Sequence, residues 1–280
     1  MNHVAGQGGE GSGRDETYDA IRAEFGYDEE ADMQSACRLE HILGGGGKGR
    51  ARRAYKILQE RIRGRTVFVA GAGPSLHRSL GTIARHVDTC TLIAADTAVK
   101  PLIRSGIAPH VVTTDLDGDI GSHLEASRRG AVMVVHAHGD NMHVLHHAGS
   151  FAICMGTTQS APVGEIRNFG GFTDGDRAVF LAERCGAGRI ILFGMDFGRR
   201  IGRYSETAKD ERAVKIRKLR RGKELMERHL AGSTGRLFTT SGAIKGFESV
   251  TYDGVERLLP LPRGGLRQNE FNSSRRPARP

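Results

Sequence analysis

Two apolar, β-branched runs constrain this chain more than any other feature. Residues 111–119 read VVTTDLDGD, residues 131–141 read AVMVVHAHGDN, and each run ends in carboxylates. Short runs of this kind, separated by a helix-length polar segment, predict strands buried on both faces and therefore a parallel sheet. Such sheets bind ligands in the crevice outside the carboxyl ends of their strands. Asp115, Asp117, Asp119 and Asp140 are thus expected to face one crevice. The pattern recurs along the chain: TVFVA at 66–70 leads to GAGPS, CTLIAA at 90–95 leads to Asp96, FAICM occupies 151–155, and RIILF at 189–193 leads to GMDFG. The expected architecture is α/β: a three-layer, Rossmann-like, mostly parallel sheet with helices on both faces and helical N-terminal and C-terminal additions.

Around this core the chain divides by composition. Residues 1–14 are Gly-rich and nearly devoid of large apolar groups, which predicts disorder. Apolar residues at near-helical spacing predict a helical segment over 15–63, interrupted by GGGGKG at 44–49. That run lacks the preceding strand and the following Ser or Thr of a phosphate loop and reads as a connector. The α/β core is expected over 64–200, a helical cover over 201–262, and a disordered basic tail over 263–280. The net charge of +9 is concentrated: residues 199–228 hold 12 Lys/Arg against 5 Asp/Glu and residues 263–280 hold 5 against 1, leaving the remainder slightly acidic. A charge run of this kind reads as a solvated face that also suits a polyphosphate over the crevice. No apolar run approaches a membrane span and no hydrophobic signal segment is present, which predicts a cytoplasmic protein. Cys37, Cys90, Cys154 and Cys185 form no CxxC pair and read as reduced thiols.

The acids carry the chemistry. Carboxylates gathered at one site raise one another's pKa unless a cation neutralises them, and an all-oxygen cluster suits Mg²⁺. Asp96 joins Asp115, Asp117, Asp119 and Asp140 at these strand ends, and a bound metal is the expected reason for gathering them. GAGPS is open to two readings, backbone contact with a nucleotide phosphate or a tight strand-to-helix turn capped by Ser75; the third Gly of a dinucleotide fingerprint is replaced by Leu76. Thr173, Asp174 and Asp176 cap a helix on one reading and clamp a heterocycle on the other. HAHGDN resembles the HxHxDH motif of metallo-β-lactamases, but Asn141 replaces the last His and the acidic strand ends have no place in that scheme. Asp196-Phe197-Gly198 matches a protein-kinase tripeptide without its HRD partner.

Taken together, GAGPSL at Gly71, AAD at Asp96, TDLDGD at Thr114, HAHGDN at His136, GTTQ at Gly156, NFGGFTDGDRAVFLA at Asn168 and GMDFG at Gly194 resemble the archaeal 6-hydroxymethyl-7,8-dihydropterin diphosphokinases, which are related in their core to thiamine pyrophosphokinases. The resemblance implies transfer of the β,γ-diphosphate of ATP to the pterin hydroxymethyl oxygen with release of AMP, in folate or tetrahydromethanopterin biosynthesis. It implies Mg²⁺ as cofactor, with Asp96, Asp115, Asp117 and Asp140 in the places of the metal ligands, ATP and a pterin as partners, and no specific nucleic acid or membrane. Asp117, Asp140 and His138 are the implied catalytic residues, with Asp140 or His138 open as a base. Gly71, Gly73, Pro74, Ser75 and Asp96 are implied around the nucleotide phosphates, and Thr157, Thr158, Gln159, Thr173, Asp174 and Asp176 around the pterin or adenine. The rival within the resemblance is a motility-associated glycosyltransferase using a nucleotide sugar. A metallohydrolase and an RNA-binding protein using the basic segments are the rivals outside it.

Overall fold

The computed structural model describes residues 16–259 except 46, 48, 206, 207, 209, 231, 234 and 235. The expectations for residues 1–14 and 263–280, and for Lys48 within the glycine run, lie outside the described residues. Three helices come first: α1 (Glu16–Phe25), α2 (Glu29–Gly44) and α3 (Arg50–Ile62). The sheet then alternates with helices: β1 (Thr66–Ala70), α4 (Leu76–His86), β2 (Thr91–Ala95), α5 (Val99–Arg104), β3 (Val111–Thr114), α6 (Ile120–Arg128), β4 (Val132–Ala137), β5 (Ile153–Thr158), α7 (Asp174–Arg184) and β6 (Arg189–Phe193). The chain continues through α8 (Arg212–His229), β7 (Leu237–Thr239), β8 (Glu248–Ser249) and α9 (Tyr252–Leu258).

The eight strands form one sheet in the order β5-β4-β3-β2-β1-β6-β7-β8, and every pairing is parallel. Parallel pairing requires crossovers, and the apolar runs become strands because both their faces are covered. Val67, Phe68, Val69, Leu92, Ile93, Val111, Val112, Ile190 and Ile191 are fully buried. Each such side chain contributes roughly 1.5–3 kcal/mol of transfer free energy. The chain steps outward from β1 to β5, then returns through α7 to place β6 on the other side of β1. Right-handed crossovers therefore put α7 on the face opposite α4–α6. There α7 packs over β1, β2, β3 and β6, while α2 and α3 pack on β4 and β5.

Two differences from the sequence reading have simple causes. β5 begins later than expected and runs on through Gly156-Thr157-Thr158, because Thr is as good a strand former as the apolar residues before it. Within the C-terminal cover, residues 238–251 read as one short strand or a lid, and they supply most of two short strands, β7 and β8, that extend the sheet beyond β6. Reversal of the chain at β1 and β6 creates the switch-point crevice, and the loops after β1 to β6 line a cavity of about 610 Å³ above it.

Candidate active site

The acids converge as the strand ends require, but not in the combination the sequence pointed to. Carboxylate oxygens of Asp96, Asp115 and Asp174 lie within 4.8 Å of one another. Asp96 follows β2, Asp115 follows β3, and Asp174 opens α7, which crosses over both strands. Asp96 is buried and sits at φ 30°, an uncommon angle for a residue with a Cβ. Thr114 fixes it: its Oγ1 donates to Asp96 Oδ1 at 2.5 Å and accepts from the Leu116 amide at 2.8 Å. Leu116 itself is buried at φ 70°, a left-handed conformation costing roughly 1–2 kcal/mol that turns the chain between Asp115 and Asp117. Asn141 holds that turn to β4, donating to the carbonyls of Asp115 and His136, both at 2.7 Å. Gly118 lies so near Asp96 that a Cβ there would stand 2.7 Å from Oδ2.

Burial and mutual repulsion set the electrostatics. Desolvation pushes the Asp96 carboxyl up to about 6, with Asp117 adding to the rise and Thr114 opposing it. Asp115 is raised by desolvation and then by Asp96, and Asp174 is raised well above the usual range by desolvation, Asp115 and Asp96. Asp117 is exposed at the mouth, with its amide on Asp115 Oδ1, and is raised by desolvation and by Asp115. Three oxygen donors at this spacing fit a hard divalent cation, which would occupy the space in which they repel one another. Among the described residues no histidine belongs to this group. Of the two histidines in HAHGDN, His136 is engaged with Gln159 at 3.3 Å, and His138 stands beside the group, 3.9 Å from Asp115.

The other acids have different places. Asp119 caps α6, its Oδ2 accepting from Ser122 N at 2.8 Å and Ser122 Oγ at 2.6 Å, with Lys100 Nζ 3.1 Å away. Those partners hold its carboxyl down at about 2, so it does not share the crevice charge. Asp140 is a rim residue with 73% of its side chain exposed, and His138 stands between it and Asp115, 3.9 Å from an oxygen of each. Asp176 closes a capping box with Thr173, accepting from the amides of Phe172 at 2.6 Å and Thr173 at 2.8 Å. It is fully buried and absent from the cavity wall, so contact with substrate does not fit its position. Thr157 and Thr158 are likewise buried in β5 behind the wall, whereas Thr173 and Gln159 reach it.

The glycine turn after β1 is spent on the fold. Gly71 N donates to Phe193 O at 2.9 Å and Gly73 N to Gly194 O at 2.8 Å. Ser75 gives its amide and its hydroxyl to Asp196 Oδ2, at 2.8 and 2.7 Å, and makes no side-chain cap on α4. A Cβ at Gly73 would lie 2.5 Å from Gly194 O, so close approach of two loops explains the glycines. Gly71, Ala72 and Gly73 still line the cavity, while Pro74 and Ser75 lie behind it.

The opposite wall comes from residues that single motifs did not reveal. Lys215, Lys218 and Leu219 of α8, with Arg200, face the acids across the cavity. Burial opposes the charge on Lys218, but the Tyr27 hydroxyl and then Asp115 and Asp140 hold it protonated. Lys215 and Lys218 stand three apart on one helix face, a spacing readable in sequence once the helix is known to lie over the crevice. Arg177 follows Asp174 by the same spacing and shares its cavity-facing side.

Comparison with known proteins agrees with this picture. The chain is 43% identical over 194 residues, 69% of its length and 81% of the relative's, to the 6-hydroxymethyl-7,8-dihydropterin pyrophosphokinase of Methanothermobacter thermautotrophicus. It is 43% identical over 217 residues, 75% of its length and 90% of the relative's, to the enzyme of the same name from Pyrococcus furiosus. Among solved structures, the MAf glycosyltransferase of Magnetospirillum magneticum AMB-1 superposes with a TM-score of 0.49 at 17% identity, spanning 74% of this chain and 40% of that one, a likeness too slight to bear on function. A family described as 6-hydroxymethylpterin diphosphokinase MptE-like matches residues 48–202, which carry β1 to β6 and all three clustered acids. This chain belongs to that family.

Proposed function

We propose that this chain transfers diphosphate from ATP to 6-hydroxymethyl-7,8-dihydropterin. The observation that carries the reading is the cluster of Asp96, Asp115 and Asp174 under a cavity whose far wall is basic. Acids alone would repel a triphosphate, and a basic wall alone would not align one. The curated relatives bear the name of this activity. In the reaction the hydroxymethyl oxygen attacks the β-phosphorus and the bond from that phosphorus to the α,β-bridging oxygen breaks. AMP leaves with the bonding pair, and the hydroxyl proton passes to a base.

Asp96, Asp115 and Asp174 would hold Mg²⁺ or a similar divalent cation, with Asp117 within reach at the mouth; such an ion supplies neutralisation of charge on the phosphoryl oxygens. The chain's own residues do the rest. Lys215, Lys218 and Arg200 face the triphosphate and offset its charge as it develops on the departing AMP. Thr114 and Asn141 hold the Asp115 turn, so the carboxylates are positioned before substrate arrives. His138, between Asp115 and Asp140, is the candidate acceptor for the hydroxyl proton. The domain division is proposed as 15–63 helical, 64–200 core and 201–262 cover, with the core sheet continued by strands from the cover.

The test is AMP formation from ATP with Mg²⁺, with and without 6-hydroxymethyl-7,8-dihydropterin. Pterin-dependent AMP together with the pterin diphosphate is expected. ADP as the nucleotide product, or AMP formed equally without pterin, overturns the reading.

A further inference from the structure

Strand order separates the cavity into two ends with the acids between them. The β1–β6 end carries Gly71, Gly73 and Arg200, and the β4–β5 end carries His136, His138 and Gln159 beneath α1 and α2. Adjacent strands are about 4.8 Å apart, so β1 and β4 are separated by roughly 14 Å, room for one substrate on each side of the acids. The β4–β5 end is walled by flat rings. Tyr27 and Phe172 have centroids 6.2 Å apart, and His136 stacks on His138 at 5.6 Å and 24°.

Within that end three buried residues, Arg177, His136 and Thr157, carry polar side-chain atoms that lack partners among the described residues. Arg177 is 1% exposed, yet among the described residues its guanidinium makes one hydrogen bond, from Nη2 to the Phe172 carbonyl at 3.2 Å, and Nε and Nη1 have none. A buried guanidinium with unmet donors is costly, and native proteins keep such groups where a ligand completes them. His136 is 3% exposed, and its Nδ1 is also unpartnered. The tautomer follows from its neighbours. Asp32, buried on α2, accepts from Gln159 Nε2 at 3.0 Å, so the Gln159 Oε1 must face His136 Nε2, 3.3 Å away. That nitrogen therefore carries the proton. Burial first, and Arg177 second, hold the imidazole neutral, which leaves Nδ1 an acceptor.

We infer that Arg177 and His136 read the lactam edge of the acceptor heterocycle, the guanidinium donating to a ring carbonyl and His136 Nδ1 accepting from the adjacent ring N–H. The inference rests on the diphosphokinase reading and adds where the acceptor lies and what selects it. Asp32 and Gln159 are positioning residues that fix the tautomer; Tyr27 and Phe172 supply the apolar wall. An adenine ring could present a similar donor and acceptor, but the nucleotide belongs at the β1–β6 switch point, with the acids between the two.

The test compares two probes in equilibrium binding: 6-hydroxymethylpterin, which has the lactam edge, and 2,4-diamino-6-hydroxymethylpteridine, in which donor and acceptor are exchanged. Wild type is expected to prefer the lactam by about 30-fold or more, since sites built on buried hydrogen bonds reject a mismatched edge strongly. In Arg177→Met and in His136→Phe the preference is expected to fall below about threefold, with affinity for a non-hydrolysable ATP analogue changed less than about twofold. Equal wild-type binding of the two probes overturns the inference without any variant. So does a preference that survives both substitutions, or loss of nucleotide affinity in place of pterin affinity. Failure of wild type to make AMP with the pterin sinks the diphosphokinase reading instead, and turnover with an unchanged probe ratio sinks this inference alone.

Discussion

The turn after β1 and the turns after β2 and β3 lie side by side at one edge of one sheet, yet they are built in opposite ways. After β1 the identified donors of Gly71, Gly73 and Ser75 are consumed within the protein, by Phe193, Gly194 and Asp196. After β2 and β3 the polar groups are left in conflict: three carboxylates crowd together, two backbone angles enter the positive-φ region, and burial drives the acids toward protonation. A satisfied turn stabilises the fold, and an unsatisfied one marks where a ligand completes the structure. The contrast separates scaffold from site more sharply than residue type does, since the glycines of GAGPS and the acids of DLDGD are both residue types expected of phosphate chemistry.

The largest effect that follows is in Asp174→Asn. It keeps the side-chain shape and removes one of three anionic donors, so kcat/KM should fall on the order of a thousandfold, the several kcal/mol expected when cation neutralisation is impaired. Its melting temperature without metal should be no lower than that of wild type, because the neutral amide resembles the protonated acid that burial favours. Ser75→Ala should show the reverse pattern. Loss of one buried hydroxyl bond to Asp196 costs about 1 kcal/mol of stability, and activity should stay within about fivefold. Steady-state kinetics and thermal melts on both variants break the comparison if Ser75→Ala is the less active of the two.

Much of this was legible in the sequence, for physical reasons that also explain the remainder. RIILF and TVFVA are readable as strands because they are buried on both faces, and the acids after CTLIAA and VVTT because the ends of parallel strands must converge. Asp174 reads as a helix cap from its place at a helix start and as a substrate contact from the glycine-rich loop before it; only the return of α7 over β2 and β3 brings it to Asp96 and Asp115, and that is a tertiary fact. Asp176, two residues on, carries the same sequence signal and does nothing but cap. Asn141 looked like a missing metal ligand, whereas it is the clamp on the Asp115 turn. Arg177 lies within NFGGFTDGDRAVFLA without a role of its own there, and a buried cation beside the unpartnered His136 Nδ1 becomes visible once the cavity exists.

A second prediction sharpens the comparison through protons. Asp96 is pushed up to about 6, and Asp115 and Asp174 are also raised. Unfolded, these groups titrate near 3.9. The folded metal-free protein therefore binds more protons between about pH 4 and 6; the stability they contribute is full below about 4 and is lost as pH rises through about 6. A cation takes the place of those protons. Its affinity should weaken by about tenfold per pH unit below 6 for each proton it displaces, and the rise in melting temperature on adding Mg²⁺ should grow between pH 5.5 and 7.5. The buried neutral imidazoles of His110, His123 and His136 tilt the opposite way, because the unfolded chain gains their protons near 6.5. His110 and His136 act in both the metal-free and metal-loaded protein and cancel in the difference between the two melts, whereas His123, 3.4 Å from Asp96, titrates with the carboxylates as one cluster. A metal shift independent of pH would mean that the acids are already ionised and uncoupled.

The smallest effect belongs to Asp119, which ends the DLDGD turn four residues past Asp115 without joining the cluster. Its oxygen accepts the Ser122 amide and hydroxyl at the start of α6, an arrangement that satisfies the helix end and leaves nothing in conflict. Asp119→Ala should therefore cost about 1 kcal/mol, the usual worth of an N-cap, and lower the melting temperature by roughly 2–4 °C. Activity and Mg²⁺ dependence measured well below that melt should stay within about twofold. Asp119→Ser or Asp119→Asn should recover most of the stability, since either side chain caps the same amide. A loss of activity in Asp119→Ala that Asp119→Asn does not restore would place a fourth negative charge in the crevice and move the boundary between scaffold and site past the end of the DLDGD turn.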